Sequence, residues 1–193
     1  MVILRSILAV IGLLVVLGGG YGFAKMAPVL SKMDPDYKEM YIGFATRLLE
    51  SMDPGVAMTW AVPVENPDLS AEDIKESLKS LASARNFLFV GEAKFYKQVE
   101  AVTGQPYRHI EFLSFCDARV GKMMADYQDA YTAFMPCRIA LVQDKQGKFW
   151  LYSMNLDMMI HGGKELPAEL RKEALRVRNV IKDIMTDAAK GEF

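Results

Sequence analysis

The first 24 residues limit what this chain can be more than any other feature. From Ser6 to Ala24 the sequence has no charged residue, a run of 19 residues. A helix that crosses the hydrocarbon core of a bilayer needs about 20 mostly apolar residues. A soluble surface helix needs a polar face, which this run does not supply. The sequence therefore predicts a membrane-inserting segment over residues 1–24, in contact with the bilayer through residues 2–24.

Two kinds of membrane segment fit this pattern. The apolar stretch Ile7–Leu17, followed by glycines and by small residues near Ala24, is typical of a cleaved secretory signal. The same segment, left uncleaved, is a single-pass anchor. We favour the anchor because the apolar run continues through Tyr21 and Phe23.

Two sequence rules disagree about which side of the membrane holds the rest of the chain. Lys25, Lys32 and Lys38 follow the segment closely, and the excess of positive charge there favours the cytoplasm. However, an N-terminal apolar segment with a basic start, here Arg5, usually directs the following chain across the membrane. We expect a single-pass protein of the cytoplasmic membrane with its domain in the periplasm, next to a membrane protein complex.

The balance of charges excludes one class of partner. The chain of 193 residues has 23 basic and 24 acidic residues, a net charge of −1, and no run of like charges. Binding of nucleic acid requires a concentrated basic face. We therefore expect no nucleic acid partner.

Residues 25–55 are predicted to form a linker and an amphipathic helix. Asp34 is a suitable N-cap, Pro35 fits the first helical position, and Asp53-Pro54-Gly55 ends the helix. One apolar stripe at helical spacing contains Tyr37, Tyr41, Phe44, Leu48 and Met52.

Residues 56–193 are predicted to form a single α+β domain. The hairpin joined by Asp144–Gly147 and the capping-box helix after Ser70 are the clearest local signals. Pro63 indicates that the first strand lies at a sheet edge or ends there. Strands are expected at 56–64, 87–95, 107–116, 137–142 and 148–154, and helices at 70–86, at 119–131 and from Pro167 onward. This order favours a mostly antiparallel sheet backed by helices.

Several of these segments resemble a known bacterial family. Phe115-Cys116-Asp117, the run Met135–Val142, and Asp144, Gly147 and Trp150-Leu151 resemble the domain of unknown function 302. The resemblance extends from about Ser70 to the C-terminus. It implies a compact α+β fold and no established activity. The membrane segment and the helix from Asp34 lie outside the family pattern.

Cys116 and Cys137 are the only cysteines, and each is predicted at a strand end. A disulfide is one interpretation, because ends of adjacent strands approach within bonding distance and the periplasm permits the bond. Two buried free thiols are equally reasonable. A functional thiol or a metal-binding pair is the third possibility.

A metal or haem site is suggested by Met154, Met158 and His161. Thioether and imidazole groups are ligands for Cu(I) and for haem iron. The chain has 13 methionines but only two histidines, so such a site would recruit His161. The alternative is that the methionines fill a core edge and His161 caps a loop. The cofactor is therefore unknown, with copper or haem as candidates.

Arg138 and Glu111 are candidates for contact with a ligand. Arg138 interrupts an apolar strand and could bind a carboxylate or phosphate. We favour an internal ion pair with Glu111 or Asp117 instead, since most such arginines pair within the protein.

No sequence motif for hydrolysis, phosphate binding or metalloprotease chemistry occurs, so no catalytic residue is predicted and an enzyme is less expected than a binding protein. The first hypothesis is a membrane-tethered accessory module that binds a ligand or partner. The alternative is a redox or metal-handling protein of an envelope electron-transfer system.

Overall fold

The structure, a computed structural model, describes residues 2–193. It contains five strands, eight α-helices and one 3₁₀ helix in this part of the chain. The strands are β1 (Thr59–Pro63), β2 (Leu88–Ala93), β3 (Ile110–Cys116), β4 (Cys137–Gln143) and β5 (Phe149–Met154). The helices are α1 (Val2–Leu30), α2 (Tyr37–Ser51), α3 (Pro54–Ala57), α4 (Ala71–Ala84), α5 (Phe95–Thr103), α6 (Ala118–Tyr127), the 3₁₀ helix (Asp129–Phe134), α7 (Asp157–His161) and α8 (Ala168–Lys190).

The strands form one antiparallel sheet in the order β1-β5-β4-β3-β2. The predicted α+β class with an antiparallel sheet backed by helices is confirmed. β1 lies at an edge, where the missing N–H of Pro63 breaks no pairing in the sheet interior.

Helices α4 and α8 cover one face of this sheet. On β3, Glu111, Leu113 and Phe115 point to the covered face and are buried, while Phe112 and Ser114 point to the other face and are partly exposed. Successive side chains of a strand alternate between faces, so register alone decides this division. The fully buried core side chains include Ile74, Leu78, Leu113, Phe115, Ile139, Leu141, Leu151, Ile181 and Ile184.

Two local sequence signals act as predicted. Ser70 and Asp73 form a reciprocal capping box at the start of α4, in which each side chain accepts the backbone N–H of the other residue. Asp144 closes the β4–β5 hairpin by accepting the N–H groups of Gln146 and Lys148 and the indole N–H of Trp150. Gly147 has φ +88°, which favours glycine.

Other elements differ from the prediction. Val56 and Ala57 belong to α3 rather than to a strand, because Asp53 caps this short helix at the N–H groups of Gly55 and Val56. Helices α5 and α7 were not predicted. The strand expected to reach Phe95 ends at Ala93, and α5 begins at Phe95, whose ring packs against Phe112.

The N-terminal helix is longer than predicted. It continues through Lys25, where a linker was expected, and ends at Leu30. At 1.5 Å per residue its 29 residues reach ~44 Å, more than the ~30 Å hydrocarbon core. Leu4–Leu30 is long and apolar enough to cross a membrane, and none of its most apolar part is buried against the described protein.

The predicted apolar stripe of α2 is only partly buried. Phe44 and Leu48 are half-buried, but Tyr41 and Met52 are exposed, and Met40, outside the stripe, is the buried residue. The difference arises because α2 packs mainly on the small elements α3 and α7. The predicted N-cap Asp34 is also wrong, since the N-cap position is Asp36 and Asp34 is fully buried.

Because the core lies on one face of the sheet, we expect a fully buried side chain at its centre to contribute strongly to the free energy of unfolding. Leu141→Ala should lower the free energy of unfolding by about 2–5 kcal/mol, because Leu141 is fully buried on β4. Urea unfolding of the full chain in detergent, followed by Trp60 and Trp150 fluorescence, measures this change. Ile42→Ala is the matched control on exposed α2 surface, and a loss below about 1 kcal/mol for Leu141→Ala would contradict the assignment of this core.

Candidate functional site

The segment that follows helix α1 is bound to the domain by its backbone. We call residues 31–36 the junction. Met33 forms a β-bridge with Lys164, the N–H of Asp34 donates to the carbonyl of Gly163 (3.0 Å), and the N–H of Glu165 donates to the carbonyl of Lys32 (3.1 Å). These contacts attach the junction to the loop between α7 and α8.

A buried ion network reinforces this attachment. Arg171 Nε on α8 donates to Asp34 Oδ2 (2.8 Å), and its Nη2 donates to Asp36 Oδ2 (2.7 Å). His161 Nδ1 on α7 lies 2.8 Å from Asp34 Oδ1. Burial alone would raise the pKa of Asp34, but the Arg171 guanidinium, the Asp36 backbone N–H and His161 lower it to about 2. We call the backbone contacts and this network together the clamp.

Among residues 2–193, the clamp contains the only group of three or more His, Cys, Asp or Glu side chains that are close enough together to hold one metal ion. Asp34, Asp36 and His161 each offer one ligand atom, and these atoms lie within 4.8 Å of one another. Arg171 already binds both carboxylates and supplies their positive countercharge. The geometry therefore favours a structural role for His161 over the predicted role as a metal ligand.

The uncovered face of the sheet forms a second site. We call it the groove, and its cavity volume is about 450 Å³. The Arg138 guanidinium lies 5.2 Å from the centre of the Phe112 ring. No acid lies within ion-pair distance of Arg138 in the described part of the chain. Other residues lining the groove include Thr59, Ser114, Ala140, Tyr152 and Met154.

The favoured internal pair of Arg138 with Glu111 or Asp117 is wrong. Arg138 is opposite Ser114 in the β3–β4 register, so it points to the open face, whereas Glu111 points to the covered face. Asp117 instead accepts the first N–H groups of α6 and pairs with Arg176 on α8. Alternation along the strands thus leaves the Arg138 charge available to a ligand.

Glu111 belongs to an internal charge cluster and not to the groove. Its Oε2 lies 3.2 Å from His109 Nε2, and its Oε1 lies 4.0 Å from Lys75 Nζ. The His109 ring stacks on Tyr96 at 4.6 Å between ring centres. Glu111 Oε1 is buried without a hydrogen bond. The cluster joins β3 to α4 and α5. Glu111, predicted as a ligand-binding residue, therefore contacts Lys75 and His109 within the domain.

Cys116 and Cys137 are both free thiols that line one apolar cavity. Burial raises the pKa of Cys137 to about 11, with a smaller effect from Cys116. Burial and the Asp117 carboxylate raise the pKa of Cys116. Thiolates are the reactive form of cysteine, so neither residue is an activated nucleophile.

The predicted methionine ligands lie in different environments from His161. Met158 is exposed on α7, and Met154 lines the groove. The methionines that line the cavity of the two cysteines are others, Met124, Met135 and Met159. No spacing along the sequence predicts that these three methionines lie together. They belong to α6, to the segment before β4 and to α7.

Comparisons with known proteins agree with this fold. The sequence profile described as domain of unknown function DUF302 matches residues 60–188. This chain belongs to the DUF302 family. It is similar to a solved structure described as an uncharacterized conserved DUF302 protein from Bacillus stearothermophilus, with a TM-score of 0.56 and 12% identity. The likeness covers 69% of this chain and 98% of that one. No curated protein sequence matches this chain.

The DUF302 match begins in β1, earlier than the Ser70 start that the sequence suggested, and ends in α8. It leaves out α1, the junction and α2. The clamp therefore joins the DUF302 domain, through His161 and Arg171, to the part of the chain outside the match.

The clamp predicts a pH-dependent contribution to stability. Asp34 has a pKa of about 2 when folded against an ordinary value of 3.8, so its contribution is complete above pH 4 and is lost as the pH falls towards 2. Asp34→Asn should lower the free energy of unfolding by ~2 kcal/mol at pH 7. The difference from the unchanged protein should shrink when both are unfolded by urea near pH 2.

Asp68→Asn is the control for this prediction, because Asp68 is exposed and forms no ion pair within the described residues. It should change the free energy of unfolding little at either pH. A pH-independent effect of Asp34→Asn would contradict a charge-based clamp.

Proposed function

We propose that this protein is a membrane-tethered binding module whose DUF302 domain lies on the periplasmic side of the cytoplasmic membrane. Its open sheet face binds a small ligand with a carboxylate or phosphate group and an apolar body. The observation that carries the proposal is Arg138, an arginine without an ionic partner on a concave aromatic surface.

The tether is supported by α1 and the clamp together. The candidate span ends at Leu30, and the clamp begins within the next few residues. Six junction residues reach at most ~20 Å even when fully extended, so the domain would stay close to the bilayer. Such a short connection concentrates a domain near membrane partners and fits an accessory protein of a membrane complex. We interpret the segment as an uncleaved anchor, since α1 continues without a break past Ala24, where a signal would be cleaved, to Leu30.

The ligand class follows from the chemistry of the groove. A guanidinium presents donors in a fixed fork that matches carboxylate and phosphate oxygens. The volume of about 450 Å³ lies within the ~300–1,000 Å³ typical of small-molecule sites. Burial, with the negative charge of Asp144, raises the pKa of Tyr152, so its hydroxyl stays protonated and can donate to an acceptor. Phe112 and Met154 offer apolar contact beside these polar groups.

The orientation is tested by fusing alkaline phosphatase after Phe193 in a bacterium with two membranes. This enzyme is active only after export, so the fusion should be active and should remain in the membrane fraction after carbonate washing. A matched fusion to a fluorescent protein that matures only in the cytoplasm should stay dark. The opposite pair of results would place the domain in the cytoplasm and contradict the proposal.

The groove is tested with phenyl phosphate, which carries the proposed anion and an aromatic body. The full chain in lipid nanodiscs should bind it in saturation-transfer NMR, and phenol should bind much more weakly. Arg138→Gln should weaken binding of phenyl phosphate at least tenfold, because a hydrogen bond to a charged group contributes about 1.5–3 kcal/mol.

Arg119→Gln is the matched control, since Arg119 is a highly exposed arginine outside the groove. It should leave phenyl phosphate affinity unchanged. Arg138→Lys should retain part of the affinity, because the charge remains but the fork is lost. Equal affinities of the unchanged protein and Arg138→Gln for phenyl phosphate would contradict the groove as the binding site.

A further inference from the structure

The cavity that contains both cysteines is small and lined almost wholly by apolar side chains. It lies at the end of β3 and is bounded by α6, the 3₁₀ helix, α7 and α8. Its volume is about 70 Å³, well below the ~300 Å³ at which sites for small organic ligands begin. A haem or a lipid therefore does not fit, whereas a single metal ion does.

Sulfur atoms are concentrated around this cavity. Its lining contains both cysteines of the chain and three methionines: Cys116, Cys137, Met124, Met135 and Met159. A Cβ atom placed on Gly121 would lie 3.6 Å from Cys116 Sγ and 3.6 Å from Met135 Sδ. Cys116 Sγ and Met135 Sδ are therefore at most 7.2 Å apart, the sum of the two 3.6 Å distances. Because Gly121 has no side chain, no Cβ atom occupies the space beside these two sulfur atoms.

We propose that this cavity is a binding site for a monovalent soft metal ion, Cu(I), held by the Cys116 thiolate and the Met135 thioether, with Cys137 and the other methionines completing the sulfur shell. Soft thiolate and thioether ligands select Cu(I), whereas harder ions require oxygen or imidazole ligands. This inference rests on different observations from the groove proposal, although Met135 and Cys137 line both cavities.

Hard ligands near the cavity are already engaged. The Asp117 carboxylate binds the first N–H groups of α6 and the Arg176 guanidinium. The Tyr131 hydroxyl donates to the carbonyl of Met159 (3.3 Å). No histidine lines the cavity in the described part of the chain. Zn²⁺, which favours thiolate, imidazole and carboxylate ligands, therefore lacks a complete set here.

The charge balance also fits an apolar cavity. Binding replaces the S–H bond of Cys116 by an S–Cu bond and releases the proton to solvent, with no change in the oxidation state of copper or sulfur. One Cu(I) and one thiolate form a neutral unit, which avoids the cost of burying a net charge. Cys137 lines the same cavity and supplies a further sulfur atom beside these two ligands.

The test is an anaerobic titration of the full chain in detergent with Cu(I), using bicinchoninate as a coloured competing chelator. We expect one Cu(I) per chain. Cys116→Ser and Met135→Leu should each lower the affinity at least tenfold. Met158→Leu is the matched control, because Met158 is an exposed methionine on α7 outside the cavity lining, and it should leave the affinity unchanged.

Two measurements on the unchanged protein keep the test independent of folding defects in the variants. Cu(I) should slow alkylation of Cys116 by N-ethylmaleimide, while Zn²⁺ at the same concentration should not. X-ray absorption at the copper edge should show only sulfur neighbours. Nitrogen or oxygen neighbours, equal protection by Zn²⁺, or undiminished Cu(I) affinity in folded Cys116→Ser would each overturn the proposal. Phenyl phosphate binding by Cys116→Ser should persist, so failure here is distinguishable from failure of the groove.

Discussion

Apolar contacts between one face of the sheet and helices α4 and α8 are the interaction on which the remaining structure depends. On the three central strands, Leu141 pairs with Leu151 and Leu113 pairs with Ile139, and all four side chains are fully buried beneath these helices. Because side chains alternate along a strand, burying one face leaves the other free. The same register that builds the core therefore directs Arg138 and Phe112 into the groove.

The clamp attaches the junction, and with it helix α1, to this framework. Its contacts are polar and short, and they involve α7 and α8 rather than the sheet, so the junction is held without disturbing the core. A buried carboxylate is costly unless charged partners and hydrogen bonds satisfy it, and Asp34 has both. The groove and the sulfur cavity share a wall, since Met135, Pro136 and Cys137 line both. A change in that segment would consequently affect both sites.

Local signals predicted the elements that depend on neighbouring residues alone. The Ser70 capping box, the Asp144–Gly147 hairpin and the helix after Pro167 all form where expected, because their hydrogen bonds lie within a few residues. Elements stabilised by distant contacts were missed. Helix α5 packs through Phe95 on Phe112 of β3 and through Tyr96 on His109, which precedes β3. Asp34 was misread as a cap because its partner Arg171 is 137 residues away along the chain.

By itself, the sequence determined the apolar N-terminal segment, the α+β class and the DUF302 membership, since composition, periodicity and local motifs are properties of the linear chain. Tertiary structure alone decided the surroundings of each candidate site residue. Alternation along the strands places Arg138 and Glu111 on opposite faces of the sheet. His161 is paired with Asp34 in the clamp. Cysteines and methionines from separate elements line one cavity. Such groupings arise from long-range contacts, and no spacing along the chain encodes them.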